Sequence, residues 1–78
     1  MREVKVVLAT IERVKEFVSI TNSFDIDFDL VCGRYIIDAK SILGIFSIDL
    51  SKPVLLRIHA KQDEAEEILE LLKDYIVG

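Results

Sequence analysis

The stretch DIDFDLV, residues 25–31, limits the fold more than any other part of the sequence. Ile26, Phe28 and Leu30 alternate with Asp25, Asp27 and Asp29, the period-2 pattern of a strand with one buried and one wet face. Three carboxylates on one side cannot face a core without a large desolvation cost. The sheet that holds this strand therefore leaves one face open to water.

The rest of the chain supplies the other elements. VKVVLA (4–9) reads as a strand with Val4, Val6 and Leu8 on one face. Ile11, Val14, Phe17, Val18 and Thr21 then follow helical spacing, with Thr10 as N-cap and TNS (21–23) as the stop. Cys32-Gly33-Arg34 makes a tight turn into a returning strand at YII (35–37). DAKSILGIFS (38–47) is too short for a fully buried helix, and Gly44 interrupts it as a strand. It predicts a short helix from Ser41 to about Leu50 with part of its apolar face showing. Ser51-Lys52-Pro53 turns into the strand VLLRIHA (54–60), with Val54, Leu56 and Ile58 inward and Leu55, Arg57 and His59 outward. Last comes an amphipathic helix from Asp63 to Ile76, whose stripe is Ala65, Ile68, Leu69, Leu72, Tyr75 and Ile76. Asp63 and Glu66 resemble a capping box at its start. The order β-α-β-β-α-β-α predicts an α+β two-layer domain over residues 1–78, a four-stranded antiparallel sheet with three helices on one face.

Composition narrows the function classes. Half of the 78 residues are apolar, enough for one small core with stability on the order of 5 kcal/mol. Cys32 is the only cysteine and His59 the only histidine, so no internal disulfide, no metal centre built on paired cysteines and no nucleophile–base pair is expected, and no cofactor. Asp25, Asp27 and Asp29 lie some ~7 Å apart along a strand, the spacing of a solvated face. No run approaches a membrane span or a signal peptide, which makes a cytoplasmic location the expectation. Residues 62–78 carry six acidic side chains against Lys73 alone, leaving the remainder nearly balanced and without the basic stripe of a nucleic-acid binder.

Residues 25–61 resemble HPr, the histidine phosphocarrier of the bacterial sugar phosphotransferase system. Phe24-Asp25-Ile26-Asp27 stands where that family enters its second strand, and Lys40-Ser41-Ile42-Leu43-Gly44-Ile45-Phe46-Ser47 is similar to its K-S-I-M-G-V-M-S motif. The resemblance implies an open-faced β-sandwich, protein partners and no catalysis. It departs at the carrier site. Where the family reads G-I-H-A-R-P-A, aligning the following helix puts Thr10 at the phosphoacceptor histidine, Glu12 at the arginine and Arg13 at the proline. Threonine offers no nitrogen nucleophile titrating near neutral pH, and a carboxylate repels the phosphate that an arginine would clamp.

The family's motif serine is phosphorylated by an ATP-dependent kinase, and the helix after it docks enzyme I, transport proteins and a transcriptional regulator. By resemblance Ser41 is the regulatory phosphosite, with Lys40, Ile42, Leu43 and Phe46 on the docking surface. From the residues alone, Ser41 is equally an N-cap worth ~1 kcal/mol. Some Gram-positive bacteria carry an HPr-like paralogue with the serine and without the histidine; this chain is similar in that respect and differs in its first helix and hairpin length. A regulatory module without phosphocarrier activity, monomeric or weakly dimeric, is the leading expectation. A binding or assembly domain without phosphorylation, and a small-molecule sensor, are the alternatives.

Overall fold

A computed structural model describes residues 1–77. Strands β1 (Arg2–Val6), β2 (Phe28–Cys32), β3 (Tyr35–Asp38) and β4 (Val54–Ile58) form one antiparallel sheet in the order β1-β4-β2-β3. Helices α1 (Ile11–Asn22), α2 (Ile42–Ile45) and α3 (Gln62–Leu71), followed by a 3-10 turn at Lys73–Tyr75, cover one face. The core joins Val6, Phe28, Leu30, Leu56 and Ile58 of the sheet to Val14, Phe17, Ile45, Ile68 and Leu72 of the helices. The other face carries two cross-strand rows, Glu3–Arg57–Asp29–Asp38 and Lys5–Leu55–Val31–Ile36. On it Arg57 donates to Glu3 and the His59 ring bonds Asp29, each at 2.7 Å.

Several boundaries and placements differ from the sequence expectation. β1 starts at Arg2 and stops at Val6, because its partner ends at Val54 and Pro53 cannot extend the ladder. β2 begins at Phe28, opposite Ile58, so Asp25 and Asp27 precede the strand; only the Asp27 carbonyl stays tied, accepting from His59 N–H. Ile11, expected on the buried stripe, is exposed, since it stands in the first turn of α1. α3 starts one residue early, behind Lys61, with no side-chain cap; the expected box at Asp63 is not formed, and Asp63 sits in the first turn, where a carboxylate suits the helix dipole. The final helix is also not continuous to Ile76, because the chain tightens into a 3-10 turn after Leu72.

That turn aims Tyr75 into the core against α1. The Phe17 and Tyr75 rings meet edge-on at 5.7 Å, the Tyr75 hydroxyl donates to Glu16, and the Arg13 guanidinium lies over the ring at 4.4 Å while donating to the Asp74 carbonyl. Beyond it Ile76 bridges Val6, and Val77 N–H donates to the Lys5 carbonyl, which covers the C-terminal end of the outer edge of β1. Burial, and then the Glu16 carboxylate, push the Tyr75 phenol above its usual value. The neutral form is thus favoured in the fold, and its contribution is complete below about pH 10 and lost as the pH rises through the folded value. Urea midpoints measured across that range should fall more steeply in the native chain than in Tyr75→Phe; parallel curves would refute this assignment.

The β2–β3 hairpin closes through Gly33-Arg34, with Gly33 at φ 61° and Arg34 at negative φ. That is the pattern of a type II′ turn, which needs glycine at its first central position.

Candidate docking surface around the second helix

The loop entering α1 is strained. Ala9 has φ 68°, and Thr10 N–H donates to the Leu8 carbonyl at 2.8 Å, closing a γ-turn in a conformation that costs a non-glycine residue about 1–2 kcal/mol. Ala9 N–H is held by the Leu50 carbonyl at 3.0 Å, so the loop after α2 fixes the distortion. Nothing in the residue pattern signals this, since alanine is not a turn residue.

Thr10 caps α1 as expected, its hydroxyl oxygen accepting from Arg13 N–H at 3.2 Å. Glu12 is exposed in the first helical turn. Arg13, the cation of that turn, is committed to Tyr75 and Asp74. The chain's one histidine lies beyond the end of β4, whereas Thr10 follows the end of β1 that pairs with the start of β4. The five residues of β4 span on the order of 15 Å. Among the described residues no three His, Cys, Asp or Glu side chains converge on a metal-sized site, and no helix is long and apolar enough to cross a membrane.

α2 is one turn, Ile42–Ile45, and not the helix to Leu50 that the sequence suggests. Ser41 is its N-cap, the hydroxyl oxygen accepting from Gly44 N–H at 3.1 Å. The end is drawn tight by Ser47, whose hydroxyl donates to the Gly44 carbonyl, and Ile48 and Leu50 then fold inward. In the following turn Ser51 gives its hydroxyl and its N–H to Asp49, which hold the Asp49 carboxyl below its usual range. Gly44 is needed for approach: a Cβ there would stand 2.8 Å from Ile37 Cγ2 on β3.

Of the residues expected on the docking surface, Leu43 is 80% exposed and Phe46 40%, while Ile42 is half-buried on the core. Lys40 points inward, its ammonium donating to the Phe24 carbonyl at 2.8 Å and lying 5.8 Å from the Phe28 ring. It fastens the loop before β2 and is not free to meet a partner. Ile11, which the helical pattern had placed in the core, is instead 56% exposed. The start of α2 is tied to the end of α1 through the buried Thr21 hydroxyl on the Ala39 carbonyl, and the loop after α2 to the start of α1 through Leu50. The two helices thus run antiparallel, with Leu43 and Phe46 exposed in and just after α2, beyond its cap Ser41, and Ile11 exposed at the start of α1, beside its cap Thr10.

An open-faced sheet in the order β1-β4-β2-β3 beneath α1 and a serine-capped α2 defines a domain of HPr type. The chain belongs to the PTS-HPr family, whose profile, described as the PTS HPr component phosphorylation site, matches residues 12–77. Among solved structures it is similar to HPr-C-His from Thermoanaerobacter tengcongensis, with 25% identity, a TM-score of 0.74, and 92% of this chain and 90% of that one covered. It is similar also to a phosphocarrier protein HPr from Bacillus anthracis strain Ames, with 28% identity, a TM-score of 0.71, and coverage of 97% and 94%. No curated protein sequence matches the chain.

Proposed function

We propose that this chain is a regulatory docking module derived from the HPr phosphocarrier, non-enzymatic and without phosphotransfer from the α1 position, and that it works through the surface around Ser41. The observation that carries this reading is Thr10 at the N-cap of α1, where the family places its histidine. Its hydroxyl is used as a helix cap, with Glu12 two residues on and Arg13 turned away. An alkyl hydroxyl in that setting has no base to activate it and forms no phosphoramidate. His59 is bonded to Asp29 on the opposite side of the sheet.

Ser41 is then the switch. Its hydroxyl is half-buried and borders the exposed Leu43 and Phe46. A phosphate adds about 1.5–2 negative charges and would convert an apolar contact surface into one selected by cationic partners. Intact mass after two incubations tests the proposal, one with enzyme I and phosphoenolpyruvate, the other with HPr kinase and ATP. The expected result is no phosphate from the first and one from the second, abolished by Ser41→Ala. Labelling by enzyme I would overturn the loss of phosphocarrier function, and labelling by neither would remove the switch.

A further inference from the structure

The sheet has two edges. The C-terminal end of β1 is covered by Ile76 and Val77 at Val6 and Lys5, whereas no segment pairs with the outer edge of β3 among the described residues. Tyr35 faces Cys32 across the two-residue turn, and Ala39 N–H bonds the Phe28 carbonyl. The alternation of an antiparallel ladder then turns the Ile36 N–H and C=O outward, away from β2. Protein edges of this kind are usually guarded by short strand length, charged side chains, proline, a bulge or a covering loop. β3 is four residues long with one charge, Asp38 at its end, and has no lysine or proline, and its Tyr35 and Ile36 side chains are 67% and 62% exposed.

The residues flanking this edge are self-complementary. Arg34-Tyr35-Ile36-Ile37-Asp38 reads basic, apolar, acidic. Two copies paired antiparallel about Ile36 place Ile36 on Ile36, Tyr35 opposite Ile37, and Arg34 opposite Asp38 at both ends. Among the described residues neither Arg34 nor Asp38 has an ion-pair partner. Asp38 also stands directly across from Asp29, a like-charge pair that an incoming guanidinium would relieve. On the helix side of the edge, Tyr35, Ile36, Ile37, Ser47 and Ile48 line a groove of about 320 Å³, where the second copy's Tyr35 would come to rest.

We propose that β3 is a homodimer edge, joining two copies about a twofold axis through Ile36 into one continuous eight-stranded sheet. The inference is independent of phosphorylation at Ser41. The isologous contact exchanges the two Ile36 backbone hydrogen bonds and extends the apolar row Leu55–Val31–Ile36 across the junction. Four residues a side bury less than specific stable interfaces do, so half-association is expected at concentrations on the order of 100 µM.

Sedimentation equilibrium tests it. From about 20 µM to about 1 mM the weight-average mass should climb from 8.9 kDa toward twice that. Arg34→Glu and Asp38→Lys should each stay at the monomer mass, since each sets like charges opposite one another. Their equimolar mixture should associate again, because both cross-strand pairs become opposite in sign. Asp38 also caps Lys40 N–H, so a melting curve checks that variant, and Arg34→Glu, in an exposed turn, carries the test alone if it fails. A wild-type mass flat over the range would overturn the proposal, leaving the edge to another protein's strand. A dimer indifferent to Arg34→Glu would overturn it too, placing the contact elsewhere.

Discussion

Phe17→Ala is expected to leave the chain largely unfolded at physiological temperature. Phe17 is wholly buried and serves two layers at once, packing with the sheet residues of the core and meeting the Tyr75 ring at 5.7 Å. Truncating a buried phenylalanine costs about 3–5 kcal/mol, from lost transfer energy and from the cavity left behind. A domain of this size has on the order of 5 kcal/mol to lose. The edge-on contact with Tyr75 also disappears, and the C-terminal segment that closes β1 is held partly through that ring. Far-ultraviolet circular dichroism against temperature measures the effect. A transition within a few degrees of the native one would mean that the core repacks around the gap.

The second large effect is at Gly44. In an exposed helix, glycine to alanine gains up to about 1 kcal/mol of propensity. Here the new methyl would fall 2.8 Å from Ile37 Cγ2, a methyl that is itself part of a stiff, β-branched side chain packed on the core. Overpacking of that kind costs about 1–3 kcal/mol, so the clash outweighs the propensity. Gly44→Ala should lower the melting temperature by roughly 5–15 °C. Moving the branch away with Ile37→Leu should restore part of the loss in the double variant, because the two sites touch. Additive losses would place the strain somewhere other than this contact.

Much of this fold was legible because its signals are local. The alternation through Ile26, Phe28 and Leu30, the spacing of Val14, Phe17 and Thr21, and Gly33 in the hairpin each report on a few neighbouring residues. The local pattern misplaces an element where the deciding residue is distant. The bounds of β1 and the start of β2 follow from where β4 begins and ends, which neither strand's own pattern records. α2 shortens because the chain after Phe46 must bring Leu50 back to Ala9. By spacing Tyr75 is one more stripe residue, but it contacts Glu16, Phe17 and Arg13 from a 3-10 turn and not from a continuous helix. In the candidate site, Ser41 and Thr10 were legible as caps. The inward turn of Lys40 depends on a carbonyl sixteen residues away, and the exposure of Ile11 on how α1 enters the fold. The strain at Ala9 has no residue signature.

The order β1-β4-β2-β3 also sets a schedule. β2 and β3 are joined by a two-residue turn and can zip together as soon as both exist, whereas Arg2 has to find Ile58. During ribosomal synthesis at about 5–20 residues per second, the first strand emerges and then waits roughly 3–11 s for its partner to be made. The strip that finally seals its far side, Ile76 and Val77, arrives later still. The segment Val4 to Leu8, apolar but for Lys5, therefore waits longest for its partner strand. It is the segment that a chaperone would meet first and the one from which misassembly would begin.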